Sequence, residues 1–130
     1  MNTRKTRPVQ VMIVALPGAW QQILQKNIET YPFVQVVQVA SGGLSAAELA
    51  REAAPDLMII DSSIPFDDAT ALVRHVKLQN PAIRLMVLTD TSQQRHKIAL
   101  TGADYALTSY SYETQIGPIL GRLSQSIQSV

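Results

Sequence analysis

The stretch PDLMIIDSSIP, residues 55–65, decides the fold. Its run DLMIID (56–61) is short, apolar almost throughout and bounded by prolines, which suits a strand covered on both faces of a parallel sheet. The run stops at a lone carboxylate, Asp61, followed by two serines and, four residues on, Pro65. A strand that ends abruptly in a carboxylate often delivers that group to a site. Whether Asp61 does chemistry then depends on what the rest of the chain sets beside it.

Working outward, VQVMIVAL (9–16), VQVVQVA (34–40), RLMVLTD (84–90) and ADYALTS (103–109) read as further strands, rich in β-branched residues and bounded by Pro, Gly, Ser or Asp. Helical spacing fills the gaps. Trp20, Ile23, Leu24, Ile28 and Tyr31 share one helical face; Ala46, Leu49, Ala50 and Ala53 share a second, and Ala69, Leu72, Val73 and Val76 a third. A shorter helix follows Thr91, and Ile116, Ile119, Leu120, Leu123 and Ile127 form the last face. Gly117-Pro118 falls inside that pattern, so this helix is expected to start late or to bend. Alternating strands and helices with right-handed crossovers give an α/β fold, a doubly wound five-stranded parallel sheet of order 2-1-3-4-5. Ligands of such sheets bind outside the carboxyl ends of the strands. That rule selects Ala15-Leu16, Asp61, Thr89 and Ser109.

Composition narrows the classes. Apolar residues are 46% of 130, enough for one domain with a real core. Lys and Arg number 11 against 10 Asp and Glu, and Arg4, Lys5 and Arg7 lie in the first seven positions. Residues 1–7 are expected to form a flexible basic tail and 8–130 the domain. Beyond that tail the balance is slightly acidic, so direct nucleic-acid binding by this domain is not expected. The chain has no cysteine, which excludes disulfides, thiolate nucleophiles and Cys-based zinc sites. VQVMIVAL is short, is interrupted by Gln10 and lacks a cleavage site, so it reads as a strand and not a secretion signal. No run approaches the roughly 18 apolar residues of a membrane span, and a cytoplasmic protein is expected.

Over about residues 8 to 127 the chain resembles the receiver domain of two-component response regulators. IETYPFVQVVQVASGG followed by AREAAPDLMIIDSSIP is most similar to receivers that precede a LuxR-type helix-turn-helix domain, and NPAIRLMVLTD and GADYALTS fit the same pattern. The resemblance implies a flavodoxin-like (βα)5 fold and places the phospho-acceptor at Asp61, with the family's proline at Pro65 and its switch hydroxyl at Thr89. It also marks departures. The acidic pair that holds Mg2+ with the acceptor falls on Ala15 and Leu16. The lysine ending strand 5 falls on Ser109, and the aromatic switch position on Ala106. The segment from Thr89 to Gly102 is about two residues shorter than is usual in the family, so helix 4 is expected to be truncated or displaced.

Those departures matter chemically. Mg2+ needs near-octahedral oxygen ligation, and Ala15 and Leu16 carry no side-chain oxygen. Metal and lysine would offset charge during phosphoryl transfer, whereas Ser109 donates one neutral hydrogen bond. The expectation is therefore a pseudo-receiver with no catalytic residue, no enzymatic activity, no cofactor and Mg2+ binding lost. It would serve as a protein-interaction or dimerisation module, for instance the regulatory domain of a transcription regulator. The alternatives are a receiver still phosphorylated on Asp61 and a small-molecule module of flavodoxin type. The loop LPGAWQQ (16–22) lacks the hydroxyls that would cradle a flavin phosphate. Tyr105, Tyr110 and Tyr112 are grouped on strand 5 and the loop after it. They mark the helix 4–strand 5–helix 5 face as the candidate surface for a partner or a second copy. Asp67 and Asp68 are read as first-turn acids of helix 3, His75 and His96 as surface histidines, and SGGLS (41–45) as a loop and helix start without P-loop spacing.

Overall fold

The computed structural model describes residues 7–128. Five strands, β1 (Val9–Val14), β2 (Val34–Ala40), β3 (Leu57–Ile60), β4 (Arg84–Thr89) and β5 (Tyr105–Thr108), alternate with five helices: α1 (Ala19–Glu29), α2 (Gly43–Ala53), α3 (Phe66–Gln79), α4 (Ser92–Ala99) and α5 (Tyr112–Gln128). All neighbouring strands pair in parallel, in the order β2-β1-β3-β4-β5. The expected fold class and strand order are thus observed.

Period-two alternation splits the core into two layers. Val11, Ile13, Ile59, Met86 and Leu88 face α1 and α5, with Leu24, Ile28, Ile116 and Leu120 packed on them. Met12, Val14, Met58, Ile60, Leu85 and Val87 face α2, α3 and α4, against Ala46, Ala50, Val73 and Ile98. Each of the Val, Leu, Ile and Met side chains among these contributes on the order of 1.5–3 kcal/mol when fully buried. β2 needs an irregularity to join this scheme. Val11 pairs with Val36 but Met12 with Gln38, so Val37 bulges out of register. The bulge flips the parity of VQVVQVA and sets Val34, Val36 and Val39 all on the α1/α5 layer.

The helices follow their apolar spacing with corrections at the ends. Ala69, Leu72, Val73 and Val76 of α3 are all buried, and Asp67 and Asp68 occupy its first turn. In α1 only Leu24 and Ile28 are buried, while Trp20 is 38% and Ile23 46% exposed. The first turn of α1 lies level with the strand ends, where the ring of Trp20 meets Asp61 instead of the sheet. α5 does not start late: it begins at Tyr112 and runs through Pro118. Burial of Tyr112 and Ile116 anchors its first turns, although Pro118 has no N–H to give the carbonyl four residues back. Gly117 makes room on the same helix, since a Cβ there would lie 3.2 Å from the Tyr31 hydroxyl. α4 has 8 residues and only Ile98 buried, with the Thr91 hydroxyl capping it by accepting from the Gln94 N–H at 3.1 Å. Residues 1–6 of the expected tail lie outside the described residues. Arg7, which follows them, forms a two-pronged ion pair with Asp56 at 2.9 Å on each prong.

Candidate functional site

β3 carries Asp61 just past its last paired residue, Ile60, and the Asp61 N–H donates to the Val14 carbonyl at 2.8 Å. This backbone bond places the carboxylate at the carboxyl rim between β1 and β4. Its side chain is 1% exposed, and both oxygens are taken. Oδ1 accepts the indole N–H of Trp20 at 2.8 Å, and Oδ2 accepts the Ser63 backbone N–H at 3.0 Å. Both donors are neutral.

The remaining expected positions surround this pair. Ala15 is buried and Leu16 46% exposed; the Leu16 N–H donates to the Ser63 hydroxyl at 3.0 Å, and the Ala15 carbonyl accepts from the Gln21 amide at 2.8 Å. Thr89 is buried, and its hydroxyl is shared between the carbonyls of Thr91 and Leu107, both at 3.2 Å. It is therefore directed along the β4–β5 edge. Ser109 binds back on β4, its N–H donating to the Thr89 carbonyl at 2.8 Å, with its hydroxyl 3.4 Å from the same oxygen. Ala106 packs in the α2/α3/α4 layer and Tyr105 in the opposite one, as alternation along β5 requires.

A cavity of about 180 Å³ opens on the β4 side of Asp61, lined among others by Pro65, Thr89, Asp90 and Gln94. Three larger cavities, between α2 and α3, at the amino ends of the strands and between α1 and α5, do not touch Asp61. Among the described residues no three His, Cys, Asp or Glu side chains are grouped as a metal site. His75 and His96 are exposed, as expected.

The tyrosine group needs correction. Tyr112 is 1% exposed; its hydroxyl accepts the Asn27 side-chain amide at 2.9 Å, and burial raises its pKa above the ordinary phenol value. It is core, because the first turn of α5 lies against α1. Tyr105 is half-buried, and only Tyr110, 72% exposed beside Ser92, presents a ring to solvent.

Sequence reasoning missed Trp20 and Ser63 as partners of Asp61. Helical spacing assigned Trp20 to the core face. Its place only two residues after Gly18, the start of a turn rather than mid-helix, was the available signal.

No family model matches the chain. Among curated proteins it is 31% identical over 77 residues to protein-glutamate methylesterase/protein-glutamine glutaminase 1 of Pseudomonas fluorescens, a match covering 59% of this chain and 23% of that protein. A protein of the same description from Geobacter sulfurreducens is 28% identical over 93 residues, covering 72% and 26%. The chain spans about a quarter of the length of these curated relatives, and the activities in their names are those of the longer proteins. Solved structures are similar over nearly the whole chain. A LuxR-family two-component response regulator from Aurantimonas sp. has a TM-score of 0.80 at 22% identity, covering 93% of this chain and 88% of that one. The signal receiver domain of NarL from Mycobacterium tuberculosis has a TM-score of 0.79 at 20% identity, with 92% and 98% covered. The response regulator domain of CheB from Thermotoga maritima has a TM-score of 0.73 at 20% identity, with 95% and 98% covered. With its strand order and these likenesses, the chain has the fold of a response-regulator receiver domain.

Proposed function

We propose that the chain is a pseudo-receiver, a signalling module that works through protein contacts and not through phosphotransfer. The observation that carries this reading is the state of Asp61: buried, with one oxygen on the Trp20 indole and the other on the Ser63 amide. The donor set does not fit Mg2+. Ala15 and Leu16 supply no side-chain oxygen, and both oxygens of the Asp61 carboxylate face N–H donors. With Ser109 in place of an ammonium, no bonded cation would offset charge on an incoming phosphoryl group. Incubation with acetyl phosphate and Mg2+ is expected to leave the mass unchanged. A gain of one phosphoryl group that disappears in Asp61→Asn would replace this reading with that of a phosphorylatable receiver. The cavity that brings Asp61 and Thr89 to one wall is the feature that favours this second reading.

The same proposal assigns partner contact to the α4–β5–α5 face, through either a regulatory partner or a second copy. Tyr110 at 72% and Leu100 at 88% exposure are its uncovered large apolar side chains. Light scattering on the eluting protein is expected to show self-association that weakens in Tyr110→Ala. A strictly monomeric chain at high micromolar concentration removes the homodimer version. A cytoplasmic setting belongs to this proposal; among the described residues no helix is long and apolar enough to cross a membrane.

A further inference from the structure

We propose that Trp20 is a latch on Asp61: the indole N–H closes the loop between β1 and α1 onto the loop after β3, and Asp61 is retained as the acceptor of that latch. The inference rests on the reading of Asp61 as silent toward phosphate, and it adds what the carboxylate does instead.

Four hydrogen bonds make the closed state. Trp20 Nε1 donates to Asp61 Oδ1 at 2.8 Å, and the Ser63 N–H to Asp61 Oδ2 at 3.0 Å. The Leu16 N–H donates to the Ser63 hydroxyl at 3.0 Å, and Gln21 Nε2 to the Ala15 carbonyl at 2.8 Å. Residues 15–21 and 61–63 are thereby tied at two points, Trp20 to Asp61 and Leu16 to Ser63. The bonds from Trp20 and from the Ser63 amide both end on the buried carboxylate, which makes them the stronger pair, and the Trp20 bond is the one of the two that joins the β1–α1 segment to Asp61.

The strand-to-helix turn is arranged for this closure. Gly18 sits at φ 146°, a conformation that side-chain-bearing residues rarely adopt, and nothing lies within 4 Å of where its Cβ would be. Glycine is therefore needed there for its backbone freedom and not for space. Gly18 also supplies no capping side chain to α1. The first turn of that helix then has no side-chain acceptor for its free N–H groups, and such a turn frays readily. The latch holds it. Trp20 remains 38% exposed, so one bond fixes a ring whose outer part faces solvent. Opening it uncovers the carboxylate and frees Leu16, Trp20 and the start of α1 together, giving the loop two discrete arrangements.

The test is amide hydrogen exchange on the whole chain, with no phosphodonor present. Trp20→Phe keeps an aromatic ring while removing the N–H donor and the outer part of the indole. Exchange at the Leu16 and Ser63 amides is expected to speed up by roughly 10-fold or more, as loss of a bond to a charged acceptor implies, while β4 amides keep their protection. Gly18→Ala, which deletes no contact, is expected to loosen the same amides. Unchanged protection at Leu16 and Ser63 in both variants overturns the latch. Trp20 is also the sole tryptophan, so emission reports on it directly. In Asp61→Asn the single amide oxygen cannot serve both donors, and red-shifted emission with greater acrylamide quenching is expected. Identical emission from wild type and Asp61→Asn counts against the latch as well. Phosphoryl addition to the wild type would defeat the functional reading above, while amide exchange without phosphodonor still judges the latch separately.

Discussion

At the amino end of the sheet, Asp56 and Asp104 each stand one residue before a strand, and each binds the neighbouring strand twice. The Asp56 N–H donates to the Gln10 carbonyl at 2.9 Å while its Oδ2 accepts the Gln10 N–H at 2.8 Å. Asp104 repeats the arrangement with Leu85, at 2.9 Å and 2.7 Å. Cations then meet both: Arg7 on Asp56, and Lys77 at 2.7 Å with Arg84 at 3.6 Å on Asp104. At the carboxyl end, Asp61 is the more deeply buried acid yet has only neutral N–H partners. Ionic pairing in this chain therefore serves strand registration at one end. Among the described residues no ion pair reaches Asp61 at the other end.

The sharpest way to break that contrast is to remove an acid from the amino end. Asp104→Ala leaves the Leu85 N–H without its side-chain acceptor and Lys77 without its carboxylate. Partial exposure of both partners moderates the ionic share. A loss of about 1–3 kcal/mol in denaturant unfolding is expected, mainly from the orphaned Leu85 amide, because the Lys77 ammonium keeps its bond to the Ile83 carbonyl at 3.0 Å. A loss under about 0.5 kcal/mol would mean that the clamp is ornamental.

A smaller effect is expected at Tyr112, beside the carboxyl end. Burial is the first cause that raises its pKa, and the amide from Asn27 opposes it. The folded state thus holds the phenol proton more tightly than the unfolded chain does. The stability this contributes is fully present below the ordinary phenol value of 10.0 and is lost as pH climbs through and above it. Tyr112→Phe is expected to cost about 1 kcal/mol at neutral pH, the worth of the Asn27 bond. It should also flatten the alkaline decline measured by unfolding at stepped pH, and an equally steep decline in the variant would refute the assignment.

The smallest change in stability is expected at Asp61 itself. Asp61→Asn removes a buried charge, which favours folding, and turns one acceptor into a donor facing an N–H, which opposes it. The two nearly cancel, leaving a net change within about 1 kcal/mol while the local loop loosens. A loss comparable to that of Asp104→Ala would erase the contrast between the two ends.

Much of the architecture was legible in the sequence, and for one reason: strand and helix periods act locally. The buried run ending at Asp61, the alternation through five βα units and the face of α3 all follow from spacing alone. The crossover rule then turns that order into a sheet with Asp61 at its rim. The absence of side-chain oxygen at Ala15 and Leu16 could likewise be read residue by residue. Tertiary packing decided the rest. Periodicity assigns Trp20 a helical face but cannot say that the first turn of α1 has a carboxylate beneath it and no sheet. It groups Tyr105, Tyr110 and Tyr112, yet burial separates them, because Tyr112 falls where α5 meets α1 and Tyr110 on the loop between. The bulge at Val37 exists only because β2 must match β1, a partner 25 residues earlier in pairing. What the chain determined by itself was the order of its elements and the residue types that stand at their ends. Which side chain answers Asp61 was settled only when distant segments came within hydrogen-bond range, an interaction too short-ranged to leave a periodic trace.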